Sequence, residues 1–352
     1  MEELLYSKSL AGENFAGVHP ALLNALIKCD IGHVWSYGGD RYSLSAIECF
    51  QNVFKQVAGV HFTFNGTGAN IFGLSTVVRG FHAVLCSETA HIYCDESTSP
   101  EALVGCRLLP VASENGKMIP EAIEEKIKRI GVPHAAQVKV ITITESTEVG
   151  TVYSLNELRE ISRIARKHGL LLYMDVARLY NAAATLGCSL ADLTSGVGID
   201  VLSLGGPKNG MMFGEAVVFF NADAYHSSAY LLKRSTQLIS KMRFVSSQFE
   251  AMLTDDLGLQ IARYTNSLAQ ELAMKLKRFN QITITRPVQA NAVFAILPES
   301  WIDELRTVLY FHRWNDTIHE VRLICSFDLN STDIDRFVAS IEKLVERSVY
   351  SE

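Results

Sequence analysis

The chain has 352 residues, 48% of them hydrophobic and 20% charged, with a formal net charge of −6. This length suits one large domain plus a smaller one, and this balance excludes a disordered chain. Scattered basic residues leave no electrostatic footprint for nucleic acid, and no apolar run approaches the roughly 20 residues that cross a bilayer.

The first ten residues, MEELLYSKSL, are acidic and lack a long apolar stretch, which argues against a signal peptide. From about Gly59 to Phe220, short apolar runs alternate with helical patterns. GVHFTF precedes a helix opening in GTGANIFGLSTVV; HAVLC leads into SETAHIY; PEAIEEKIKRI reads as an amphipathic helix before VKVITITE. LNELREISRIARKHG has helix periodicity and a glycine stop, and it feeds LLLYMD, ARLYNAAATLG and DVLSLGG in turn. All-apolar strands alternating with helices predict an α/β fold whose mostly parallel sheet is covered on both faces. Ligands of such sheets bind beyond the carboxyl ends of the strands. LLKRSTQLISKMRF (231–244) opens a helical region predicted to reach about Phe279. TIT, ANAVFAIL, TVLYFHRW and EVRLICSFD follow as a smaller α+β unit, closed by the helix STDIDRFVASIEKLVE with Ser331 or Thr332 as N-cap. The division expected is a large cofactor-binding domain over 1–240 and a small C-terminal domain over 241–352. Seven cysteines, an odd number without a CxxC pair, point to reduced thiols and a cytoplasmic protein.

Several polar residues stand where strands end. NGTGAN (65–70) opens a helix whose backbone N–H groups can cradle an anion. His91 and Glu96 follow HAVLC, Asp175 follows LLLYM with Arg178 about one turn later, and Lys208 sits alone in GGPKNG. Singly, these read as a generic βα turn, a core histidine, a helix cap and a surface lysine. In this order they are what a pyridoxal phosphate site needs. A desolvated lysine near cations loses its proton and condenses with an aldehyde. A carboxylate beside the pyridine nitrogen keeps the ring an electron sink. A helix N-terminus takes the phosphate, and an imidazole such as that of His91 stacks on the ring and can act catalytically by relaying a proton.

The chain also resembles a known family, the threonine aldolase and β-eliminating lyase group of fold type I pyridoxal phosphate enzymes. NFAGVHP (14–20), SYGGD (36–40), FNGTGAN, ETAHIYCDE (88–96), STEVGTVYS (146–154), YMDVARLYNAAA (173–184), GVGIDVLSLGGPKNGMMFGEAVVFF (196–220), SKMRF (240–244) and EVRLICSFD (320–328) carry the likeness. It implies a mostly parallel seven-stranded sheet flanked by helices in the large domain, and a lyase that splits a β-hydroxy-α-amino acid into glycine and an aldehyde. β-Elimination, racemisation and a non-catalytic relative are the other readings of the same scaffold. By the resemblance Lys208 forms the Schiff base, Asp175 pairs with the ring nitrogen, and Arg178 reaches the ring hydroxyl or the substrate carboxylate. Gly66, Thr67 and Gly68 hold the phosphate, His91 stacks on the ring, and Arg322 grips the substrate carboxylate. Tyr37, Lys241 and Arg243 match segments that enter a neighbouring subunit's site, implying a homodimer or homotetramer with shared sites; for Lys241 and Arg243 a solvated helix face is the other reading. No metal is expected.

Some positions depart from the family pattern. Gly12 stands where a serine touches the substrate carboxylate. Glu148 replaces a second active-site histidine and is either the general base or an innocuous surface acid. Val176 replaces a glycine and is expected to narrow the pocket, Pro207 replaces a hydroxyl residue and removes one N–H and one phosphate or aldimine contact, and Tyr173 stands where histidine is frequent.

Overall fold

The computed structural model describes residues 8–349, so most of the acidic start lies outside the described residues. Seven strands form the main sheet: β1 (Gly59–Thr63), β2 (His82–Ser87), β3 (Arg107–Val111), β4 (Gln137–Thr144), β5 (Leu171–Val176), β6 (Val201–Gly205) and β7 (Glu215–Phe219). Their spatial order is β1-β7-β6-β5-β4-β2-β3. Neighbours from β6 through β3 are parallel, whereas β7 is antiparallel to both β6 and β1. The mostly parallel sheet expected from the βαβ alternation is therefore present.

Both faces of this sheet are buried, and the side-chain period of two divides each strand between them. On β5, Leu172, Met174 and Val176 join one core, while Tyr173 joins the other. The helix Leu155–Lys167 covers the first core with Leu158, Ile161, Ile164 and Ala165, and it starts at a capping box in which Ser154 and Glu157 satisfy each other's backbone N–H. The helix Gly66–Ser75 covers the second core so closely that a β-carbon on Gly73 would fall 2.7 Å from the Tyr173 ring.

The helical region after residue 228 is not continuous. It consists of Ser228–Arg234, Arg243–Leu253 and Leu257–Leu276, with Thr236 (φ 64°), Asp255 (φ 50°) and Asp256 (φ 55°) in the left-handed region at the breaks. Polar side chains there compete with helical hydrogen bonding. TVLYFHRW also divides: its start closes the helix Glu299–Val308, and strand begins only at His312. The small sheet holds β8 (Thr283–Ile284), β9 (Ala292–Ile296), β10 (His312–Asn315) and β11 (Glu320–Ile324) in the antiparallel order β8-β9-β11-β10. The last helix, Ser331–Val349, is capped by Asn330, whose Oδ1 accepts from Asp333 N at 3.1 Å, rather than by Ser331 or Thr332.

Met242, Val245, Phe249 and Ala262 pack in the large core, while Leu268, Leu272 and Leu276 pack in the small unit's core with Leu10. The helix Leu257–Leu276 thus contributes to both cores. No helix among the described residues is long and apolar enough to cross a membrane.

The turn into β7 depends on Gly214, which has φ +110° and whose β-carbon would meet Val245 Cγ1 at 2.5 Å. Both backbone strain and overpacking oppose a side chain here. Gly214→Ala is expected to lose about 2–5 kcal/mol, read as a lower midpoint in urea unfolding.

Candidate active site

Parallel strands deliver their loops to a common edge, and there the structure has a cavity of about 300 Å³. β1 leads to Asn65, Gly66 and Thr67; β2 to His91 and Glu96; β4 to Thr144, Ser146 and Glu148; β5 to Asp175 and Arg178; β6 to Pro207 and Lys208. β7 runs the opposite way and therefore offers its first residue, Glu215, to the same edge.

A hydrogen-bonded network links the floor of the cavity to its wall. Asn70 Nδ2 donates to Asp175 Oδ2 at 2.9 Å and to Glu96 Oε1 at 2.8 Å, and Asn70 Oδ1 accepts from Tyr173 Oη at 3.0 Å. The same Glu96 oxygen lies 2.9 Å from His91 Nδ1. That bond raises the His91 pKa above 6.5 against the opposing effect of burial. Asp175 is pushed up by burial first and by the Glu96 charge second. The His91 charge opposes that rise, and a protonated ring nitrogen would oppose it further.

Lys208 lies among buried neighbours, and its pKa is lowered by desolvation and then by the Arg178 guanidinium. Those two effects favour the neutral amine. Arg178 itself is held by Glu13 in a bidentate pair, Nε to Oε1 at 2.7 Å and Nη2 to Oε2 at 2.9 Å. Asn291 Nδ2 adds a third hydrogen bond to Glu13 Oε1 at 2.7 Å. Burial alone would raise the Glu13 pKa, but Arg178 brings it down to about 2. Among the described residues the pair leaves Arg178 Nη1 as the unengaged end of the fork.

Glu148 sits at the cavity wall. Its Oε1 accepts from His91 N at 2.8 Å, its Oε2 has no partner, and burial raises its pKa. It is not an innocuous surface acid. At the cradle, the Asn65 side chain caps the helix by accepting from Gly68 N at 2.8 Å. The Gly68 amide is thereby engaged in the cap, and Gly66 and Thr67 are the residues of this turn that line the cavity with Asn65. Instead Gly68 makes room for Gln237, whose amide would lie 2.4 Å from a β-carbon there. Orphaned buried oxygens of Glu96, Ser146 and Glu148, a neutral-leaning lysine, an aspartate with a raised pKa and two available helix amides together fit a phosphorylated pyridoxal.

Other expected residues stand elsewhere. Val176 is fully buried in the core opposite Tyr173, because adjacent residues of a strand face opposite ways, and so it does not narrow the cavity. Gly12 is buried just before Glu13, with φ +150° and only Ile324 near its missing β-carbon. Arg322, on β11, stacks over Trp314 at 4.9 Å and is outside the cavity lining, yet burial and the Arg178 charge both depress its pKa. Tyr37, Lys241 and Arg243 lie apart from the cavity: Lys241 and Arg243 line a separate surface hollow of about 360 Å³, where Arg243 Nη1 donates to Gly32 O at 3.2 Å. Tyr37 N donates to Ser240 O at 2.9 Å in the same region.

Sequence reasoning missed Glu13, Asn70 and Glu215. Asn70 was visible as the polar residue one helical turn beyond the glycines of the cradle, and Glu215 as the one charge heading an apolar strand. Glu13 carries no local signal, since its partners are 165 and 278 residues away.

A family model for β-eliminating lyases matches residues 9–300. The low specificity L-threonine aldolase of Pseudomonas sp. (strain NCIMB 10558) is 38% identical over 96% of this chain and 98% of its own length. That of Pseudomonas aeruginosa is 39% identical over 94% and 95%. Among solved structures, a threonine aldolase of Leishmania major superposes with a TM-score of 0.91, at 28% identity, over 96% of this chain and 99% of that one.

The Arg178–Glu13 pair makes a direct prediction. Glu13→Gln leaves a buried guanidinium half-paired and is expected to cost about 3–5 kcal/mol. Because the folded-state pKa of Glu13 is depressed, its contribution is present above the ordinary value of 4.5 and is lost as pH falls toward about 2. Urea unfolding across that range should show a shallower acid loss in the variant than in the unaltered chain.

Proposed function

Because this chain belongs to the threonine aldolase and β-eliminating lyase family, we propose that it is a pyridoxal 5′-phosphate-dependent lyase that cleaves a β-hydroxy-α-amino acid of the L-threonine or L-allo-threonine type to glycine and an aldehyde. The observation that carries this reading is the convergence of Lys208, Asp175, Arg178, His91 and Glu148 on one cavity. When bound, the cofactor supplies an aldehyde and a sink for the electron pair released at Cα.

The residues divide the remaining work. Lys208 holds a neutral amine at Nζ, the form that condenses with an aldehyde. Asp175 keeps a proton on the ring nitrogen, and Asn70 and Glu96 fix the carboxylate and the His91 ring relative to each other. Gly66 and Thr67 present their amides to the phosphate. Arg322 and Nη1 of Arg178 bind the substrate carboxylate and so orient the Cα–Cβ bond. Glu148, its pKa raised by burial, takes the β-hydroxyl proton through Oε2. Tyr37, Lys241 and Arg243 complete a neighbouring subunit's site in a homodimer, itself paired into a homotetramer, and the enzyme acts in the cytoplasm. Trp35, 82% exposed beside these residues, supports a covered surface there.

Incubation with L-threonine and with L-allo-threonine is expected to release acetaldehyde and glycine. No aldehyde from either, in protein that carries the cofactor, would overturn the aldolase reading. Borohydride reduction should leave a pyridoxyl group at Lys208, and Lys208→Ala should abolish turnover.

Glu148→Gln tests the base. A kcat about 10²- to 10⁴-fold lower is expected, with KM and the cofactor spectrum nearly unchanged. In the unaltered enzyme kcat should rise with pH through the elevated Glu148 pKa, and that limb should vanish in the variant.

A further inference from the structure

β7 enters the site by its first residue, and that residue is a buried glutamate. Glu215 lines the cavity with Gly66, Pro207 and Lys208, and its carboxyl has no hydrogen bond among the described residues. A β-carbon on Gly66 would lie 3.9 Å from Glu215 Oε1, and one on Gly205 would lie 2.9 Å from Oε2. The carboxyl is therefore wedged between the end of β6 and the first residue of the helix that cradles the phosphate. Its cross-strand partner on β1, Thr63, is likewise left with a buried unpartnered hydroxyl.

Backbone donors are few at this end of the cavity. Asn65 has taken the Gly68 amide, and Pro207 has neither an N–H nor a hydroxyl. Arg178 has committed most of its fork to Glu13. An ionised carboxylate placed here would repel a phosphate, whereas a protonated one would give it a strong O–H···O⁻ bond. Two titratable groups act on Glu215, Lys208 from beyond β6 and Asp175 from β5. Burial pushes its carboxyl well above the usual range and Asp175 adds to this, with Lys208 opposing.

We propose that Glu215 is a neutral carboxylic acid that binds the cofactor's phosphate, donating its O–H to a phosphate oxygen beside the Gly66 and Thr67 amides. The inference rests on the cofactor reading above and adds a ligand to it. It also explains why a chain with proline before its lysine keeps a competent cradle.

The test compares two probes, pyridoxal 5′-phosphate and pyridoxal, titrated into cofactor-free protein and followed by absorbance. In Glu215→Ala, affinity for the phosphorylated probe is expected to fall about 10- to 100-fold, as for loss of a hydrogen bond to a charged group, with affinity for pyridoxal unchanged. Glu215→Gln keeps a donor and should bind the phosphorylated probe within about threefold of the unaltered protein. Equal losses for both probes would make Glu215 a partner of Lys208 and overturn the proposal. An unchanged Glu215→Ala, or a Gln variant as weak as the Ala variant, would overturn it too. Failure of the unaltered protein to bind either probe would instead remove the cofactor reading, and this inference with it.

Discussion

Charge crowds the carboxyl edge of the main sheet, where water is scarce, and every group there has to be paired, hydrogen-bonded or discharged. Arg178 and Glu13 meet that demand by pairing through two hydrogen bonds. Glu96 and Asp175 meet it by sharing the amide of Asn70. Lys208 answers it with a lowered pKa, set by burial and then by the same guanidinium that Glu13 holds in place. The pairing of Arg178 is thus a condition for the chemistry of the lysine: a guanidinium free to swing away would take its influence on Nζ with it.

The parts of the site fall into two sets by their anchoring. Asp175, Lys208 and the cradle follow directly from strand ends and a helix start, elements fixed by packing on both faces of the sheet. Arg322 comes from β11 of the small unit, and the unengaged end of Arg178 depends on the segment carrying Glu13. Under the proposed function the cofactor end is therefore held by the sheet, while the substrate end draws on residues of both units.

Much of this was legible in the residues. The strands β1, β2 and β4–β6 announce themselves as short apolar runs, and Asp175 and Lys208 stand out as polar residues at their ends. What escaped was set by geometry that local patterns do not carry. Val176 was expected in the pocket, but its neighbour Asp175 occupies that face, and alternation sends Val176 to the core. Gly68 resembles a phosphate donor, yet a side chain three residues earlier claims its amide. The helical region after residue 228 breaks at polar residues whose backbones turn left-handed, which periodicity does not register.

The contact made by Glu13 has a consequence for how the protein is born. Its guanidinium partner follows 165 residues later and its amide partner on the small unit 278 residues later. A ribosome therefore makes the acid first and must add these 278 residues before the amide can reach it. Until then the Arg178–Glu13 pair, both of whose members already exist, lacks only its third hydrogen bond, and the amide of Asn291 ties the finished pair to the small unit.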